Sequence, residues 1–302
     1  MAGAFSKQLR RGFSPSLWLC AALALLSGAC AATPPPSATG PRPEGPPYPV
    51  VLAESAERRQ GTLAAWERLA SEQGIAASAP APELQPVTAS VRSLPALPAP
   101  LSLPKVGDAG NTSQSKQKWE DATTEALRRF IDSNARLFGA EPQQLSLVLL
   151  TDAADGTKKA KYQQRPFRYP LRNGFGELEI SFTDDRRILQ ITSTCIPEIE
   201  QLQRAGTGIR PRYSSDEAAQ KLIGRSFTYT DATGSRHDDT IQVGDAVTIR
   251  ELVVYPILRP GQTDALDFHL AWEVFLTRLP NYAIYLDAVT DELIAVTPLR
   301  PS

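Results

Sequence analysis

Residues 269–298 read HLAWEVFLTRLPNYAIYLDAVTDELIAVTP, and this stretch decides the fold. It divides into a strand, a turn at Leu279-Pro280-Asn281, a second strand, a tight turn around Thr290-Asp291-Glu292, and a third strand. Trp272, flanked at period two by Leu270 and Val274, supplies a large apolar anchor on one face of the first strand. Asp287 stands where its carboxylate can accept hydrogen bonds from turn amides and bend the chain back. The ending is therefore an antiparallel sheet closed by short turns.

Working upstream, VTIRELVVYPIL at 247–258 reads as one more strand, and RSFTYTDATGSRHDDTIQVGDA at 225–246 is polar and turn-rich. YSSDEAAQKLIG at 213–224 predicts a helix: Ser214 or Ser215 can cap it, Asp216 and Glu217 fall in its first turn, and Gly224 ends it. The same order occurs earlier. In KQKWEDATTEALRRFIDSNARLFG, Trp119, Ala122, Ala126, Phe130 and Ile131 share a helical face, Gly139 is placed as a C-cap, and Pro142 bars continuation. Strand runs follow at 145–150, 159–164, 176–183 and 188–195, with Asp155-Gly156 and Asp184-Asp185 as turns. Leu178, Ile180 and Phe182 alternate with Glu177, Glu179 and Ser181, so that strand has one buried and one wet face. The predicted fold class is α+β: two consecutive units, residues 116–200 and 210–298, each a helix packed on an antiparallel sheet.

The beginning is of another kind. Lys7, Arg10 and Arg11 precede the apolar run LWLCAALALL at 17–26, which is shorter than the roughly 20 residues a membrane-crossing helix needs. Residues 1–29 therefore read as a secretory signal peptide. The stretch AATPPPSATGPRPEGPPYPV at 31–50 favours extended polyproline II over a packed core, because proline removes backbone donors. Leu63, Trp66 and Leu69 suggest a short helix, which Gly61 weakens. Pro, Ala and Ser then dominate, so residues 30–115 are expected to be a largely disordered tether. Asn111-Thr112-Ser113 fits a glycosylation sequon.

Composition excludes some classes. The 302 residues carry 32 Lys and Arg against 33 Asp and Glu, so no basic surplus exists to drive nucleic-acid binding. Zinc peptidase chemistry of the H-E-x-x-H type needs two histidines on one helix face, and the only histidines are His237 and His269. His237 lies in polar RHDD, where it reads as a solvated loop residue, the alternative being metal assistance with Asp238 and Asp239. His269 lies in a strand and reads as structural. G-x-S-x-G, P-loop and paired-cysteine metal spacings are absent from the sequence. No catalytic residue, cofactor site or metal site is expected, and the chain reads as a non-enzyme. Of the cysteines, Cys20 leaves with the signal peptide. Cys195, within a β-branched run, reads as a small buried apolar residue and not a nucleophile.

Two resemblances add to these readings. LLSGAC at 25–30 resembles the lipobox of bacterial lipoproteins, although Ser27 stands where the common pattern has a large apolar residue. It implies cleavage before Cys30 and lipid attachment to its sulfur; the alternative is ordinary secretion with cleavage near Ala29 to Ala32. Ala31, where an Asp would retain an enteric lipoprotein at the inner membrane, implies the outer membrane, facing the periplasm or the cell surface. The order NARLFG, YQQ and GFGELEISFTDDRRILQI resembles the fungalysin/thermolysin propeptide (FTP) motif. SSDEAAQKLIG, LAWEVFLT and YAIYLDAVTDELIAV resemble the PepSY motif. Asp291 and Asp185-Arg186 stand where that family has glycine. The resemblance implies a propeptide-like pair without a peptidase domain, which binds, chaperones or inhibits an exported metalloprotease in trans. The alternative is a structural envelope lipoprotein that binds another protein, with no peptidase partner.

Overall fold

The computed structural model describes residues 47–76, 78–106, 116–152, 156–165, 167–259 and 261–299. The signal peptide, Cys30, the first part of the Pro-rich stretch, the sequon at Asn111 and the Asp155 turn position lie outside them. The described residues fold as α+β, helices on antiparallel sheets.

The described residues open with β1 (Val50–Ala53) and α1 (Ala56–Glu72), capped by Ser55, whose hydroxyl accepts from the Arg58 amide. The short strands β2 (Glu83–Leu84), β3 (Val91–Ser93) and β4 (Leu101–Ser102) follow. α2 (Lys116–Ser133) and the single turn α3 (Ala135–Phe138) lead into β5 (Leu145–Asp152), β6 (Thr157–Gln164), β7 (Glu177–Thr183) and β8 (Arg187–Ser193). These strands form one sheet in the order β4-β8-β7-β6-β5. Its inner face carries Ala160, Leu178, Ile180, Phe182 and Ile191, which meet Leu127, Phe130 and Ile131 of α2 and Trp66 and Leu69 of α1. At about 25 cal/mol per Å² of apolar surface, such a layer is the main stabilising term of the first half.

α4 (Ile199–Gly206) and α5 (Ser215–Leu222) come next, the latter with the predicted capping box between Ser214 and Glu217. The strands β9 (Ser226–Thr230) and β10 (Arg236–Thr240) form a separate hairpin. Long strands β11 (Val247–Leu258) and β12 (Ala265–Leu276), then β13 (Tyr282–Asp287) and β14 (Leu293–Pro298), build the second sheet. β12 pairs with β11 along one edge and shares its other edge between β1 and β13. Ala218 and Leu222 of α5 pack with Val274, Leu276, Ile284 and Leu286. Asp291 and Arg186 adopt left-handed backbone angles, φ 68° and 65°. A side chain there costs roughly 1–2 kcal/mol.

Three expectations need correction. Residues 47–106, assigned to a disordered tether, are structured: β1 joins the second sheet, and Val91, Leu101 and Leu103 are buried in the first core. Leu63, Trp66 and Leu69 do lie in the suggested helix, α1, whereas the apolar residues of 78–106 are spaced among prolines with no helical or strand period, so composition hid them. Serines supply partners that the prolines cannot, as when Ser90 donates to the Ser193 carbonyl. Second, the two units are not simply consecutive, because β1 belongs to the second sheet while α1 belongs to the first core. Third, the stretch 225–246 contains a hairpin, and α4 occupies part of the gap left between the units. The described residues form one compact unit. Within it, the loop after β6 docks on β11 through Arg172 N–H to the Val254 carbonyl (3.1 Å) and Val254 N–H to the Pro170 carbonyl (2.9 Å).

Candidate functional site

LSLVLL at 145–150 places four leucines and a valine in a strand at the end of a sheet. β6 takes one edge of β5, and the other is unpaired among the described residues. The register shifts between Leu147 and Leu149, so that Leu147 faces Tyr162 while Leu150, after the bulge, faces Ala160. Leu145, Leu147 and Leu150 thereby all pack on the core. Val148 and Leu149 are left outside, 48% and 45% exposed. Beside this edge lies an apolar hollow of about 310 Å³ walled by Ile131, Pro142, Leu145, Leu147 and Tyr162. The Tyr162 hydroxyl is buried without a hydrogen-bond partner, and burial holds its ionisation well above the ordinary tyrosine range. A bulge is one way to blunt a sheet edge; here it also brings two adjacent apolar side chains into solvent.

The second cluster surrounds Asp287 at the end of β13. Its carboxylate is fully buried and accepts four hydrogen bonds. Val289 and Thr290 N–H reach Oδ1 (2.7 and 2.8 Å), and the Tyr48 hydroxyl and His269 Nδ1 reach Oδ2 (2.8 and 2.7 Å). Burial pushes this carboxyl up, but the bonds from His269, Thr290, Tyr48 and Val289 outweigh it and hold the group below the ordinary aspartate range. An acceptor-only carboxylate fixes the tautomer of His269, since Nδ1 must carry the proton it donates. The Tyr48 hydroxyl also accepts from Leu270 N–H (3.0 Å), and Tyr213 donates to the Asp287 carbonyl. Among the described residues, the hydrogen bond of His269 is the one from Nδ1 to Asp287. This arrangement fixes the orientation of the imidazole.

A third polar group crosses between the sheets. Arg172, in the loop after β6, donates to Glu273 Oε1 (2.7 Å) and to Glu251 Oε1 (2.5 Å). Glu273, 2% exposed, also accepts from the Tyr285 hydroxyl (3.0 Å).

The other sequence-predicted residues are dispersed. Cys195 is wholly buried, and burial pushes its thiol up to about 12, as suits a packing residue. His237 stands in the β9–β10 hairpin, 2.8 Å from Asp231 and stacked on Tyr229. Asp238 meets Thr228, and Asp239 meets Arg278. Among the described residues no group of three or more His, Cys, Asp or Glu is placed to hold a metal ion, and no helix is long and apolar enough to cross a membrane. Cys30 lies outside the described residues. Trp272 is partly buried in the second core, its indole N–H without a partner.

Comparison with models of known protein families gives no match, and comparison with curated proteins gives no significant one. Sequence reasoning named Asp287 and His269 separately but missed their pairing, and it missed Tyr48, Arg172 and Glu273. A signal existed only for Glu273, as an acidic residue inside an apolar strand.

Proposed function

We propose that the chain is an exported, non-catalytic binding module, tethered to the cell envelope by lipid on Cys30, that binds an extended segment of an exported protease in trans. One observation carries this reading: the outer edge of β5 is unpaired among the described residues and displays Val148 and Leu149. An eight-residue antiparallel edge turns about half of its N–H and C=O groups outward, ready to continue the ladder with a partner strand. Each such bond contributes about 0.5–1.5 kcal/mol net, so a few of them plus two apolar contacts give a moderate affinity. The propeptide-like order of elements over residues 116–200 and 210–298 supports a protease as the source of that strand.

The test is capture of secreted metalloproteases by the purified chain and by its Val148→Lys, Leu149→Lys variant. Both positions are exposed, so the variant should keep its fold, checked by circular dichroism. Binding or inhibition that weakens at least tenfold in the variant supports the reading. Capture of a non-peptidase envelope protein through the same edge would favour the structural alternative, and binding indifferent to the variant would remove β5. Separately, Cys30→Ser should move the protein from the membrane to the soluble fraction.

A further inference from the structure

A different hollow lies where Tyr48 and Val50 meet the second sheet. It has a volume of about 310 Å³, at the lower end of small-molecule pockets. Tyr48, Val50, Phe167, Leu202, Phe268 and Leu270 belong to its apolar wall. One flank is Gly206-Thr207-Gly208 at the end of α4, where Gly208 has φ 96° and a Cβ added at Gly206 would meet nothing within 4 Å. Packing that elsewhere closes the core is missing at this place, although the apolar residues around it, such as Leu202 and Phe268, are themselves buried.

The charges at this hollow have one sign. Arg168 and Arg210 border it, and no Asp or Glu does among the described residues. Neither arginine makes an ion pair there. Arg168 rests its guanidinium over the Tyr169 ring (5.6 Å), and Arg210 donates to the carbonyl of Ile209 (2.8 Å). Both side chains therefore keep most of their donors free at the mouth of an apolar space. A guanidinium fork matches a carboxylate in geometry and charge. His269 and Tyr48, which also line the hollow, are held in place by Asp287, so this part of the wall is rigid before any ligand arrives.

From this we infer that the hollow binds a small amphipathic carboxylate, a free medium-chain fatty acid, with its chain against Phe268 and Leu202 and its carboxylate at Arg168 and Arg210. The inference is independent of the protease reading, since β5 lies on the other sheet.

The experiment is calorimetric titration of the purified protein with decanoate below its micelle concentration. Decanol, decyltrimethylammonium and a short peptide ending in a free C-terminal Phe are titrated in parallel. Saturable one-to-one decanoate binding is expected, at least tenfold tighter than decanol, with no binding of the cation. The variant Arg168→Ala, Arg210→Ala, exposed at both positions, should lose at least tenfold in decanoate affinity and leave decanol binding unchanged. Absence of saturable decanoate binding would overturn the proposal, as would equal binding of decanol or indifference to the double substitution. Tighter binding of the peptide would replace the fatty acid by a polypeptide C-terminus and equally overturn it.

Discussion

β7 and β12 are both interior strands of antiparallel sheets, yet they are built on different terms. β7 alternates without exception: Leu178, Ile180 and Phe182 are buried, and the residues between them are half-buried. Its wetter face is laced by cross-strand ion pairs, Lys159 to Glu179 (2.8 Å) and Lys161 to Glu177 (3.2 Å). β12 is buried on both faces over most of its twelve residues, with Asp267 and Glu273 inside and His269 close to it. A strand with a wet face can leave its polar side chains to solvent. A strand without one must find each of them a partner: Arg259 serves Asp267 from the adjoining turn, Asp287 serves His269 from β13, and Arg172 serves Glu273 from 101 residues away. The polar groups of β12 should therefore be sensitive to substitution and those of β7 tolerant.

The largest effect is expected at Asp287→Ala. It leaves His269, the Tyr48 hydroxyl and two turn amides without an acceptor in a buried place, and removing one partner of a buried charged group costs about 3–5 kcal/mol. Urea unfolding should show a midpoint fall of that size; a loss below about 1 kcal/mol would mean that the cluster does not hold β1 and β13 to β12.

The same carboxylate gives a pH dependence of defined sign. Its folded-state pKa is depressed, so its contribution is fully present above the ordinary aspartate range and is lost as pH falls through the folded value. The stability gap between the native protein and Asp287→Asn should thus hold steady near neutrality and shrink on acidification below about pH 4. A gap that widens on acidification would reverse the assignment.

Glu273→Gln comes next. The amide keeps the shape but removes the charge that Arg172 faces, with Glu251 left as its remaining partner. Hydrogen bonds to charged groups contribute about 1.5–3 kcal/mol, so a loss of about 2 kcal/mol is expected, with Arg172→Gln giving a similar value and the double variant less than the sum.

The contrast also explains what the sequence disclosed. The β7 alternation, the Ser214 capping box and the closing strands were legible because they rest on period and local chemistry. The bulge at Val148 was not, since LSLVLL reads equally as a regular strand, and only its register against β6 shows which leucines face the core. Within 47–106 the helix at Leu63, Trp66 and Leu69 was legible from its spacing, whereas residues 78–106 were misread because their buried valines and leucines follow no period. Of the Asp287 cluster, the turn amides were foreseeable from the tight turn, whereas Tyr48 lies 239 residues away in a proline-rich stretch.

The smallest effect is expected where a contact looks most like a salt bridge. Lys159 and Glu179 lie 2.8 Å apart on the outer face of the first sheet, 44% and 37% exposed. Water already solvates both groups, so the pair gains little when it forms and loses side-chain freedom in doing so. A double-mutant cycle with Lys159→Ala and Glu179→Ala should return a coupling below about 1 kcal/mol that fades further in salt. The corresponding cycle for Arg172 and Glu273 should exceed it at least twofold and resist salt, because Glu273 is 2% exposed. Equal couplings would mean that burial does not separate the two sheets, and the physical difference drawn between β7 and β12 would fall.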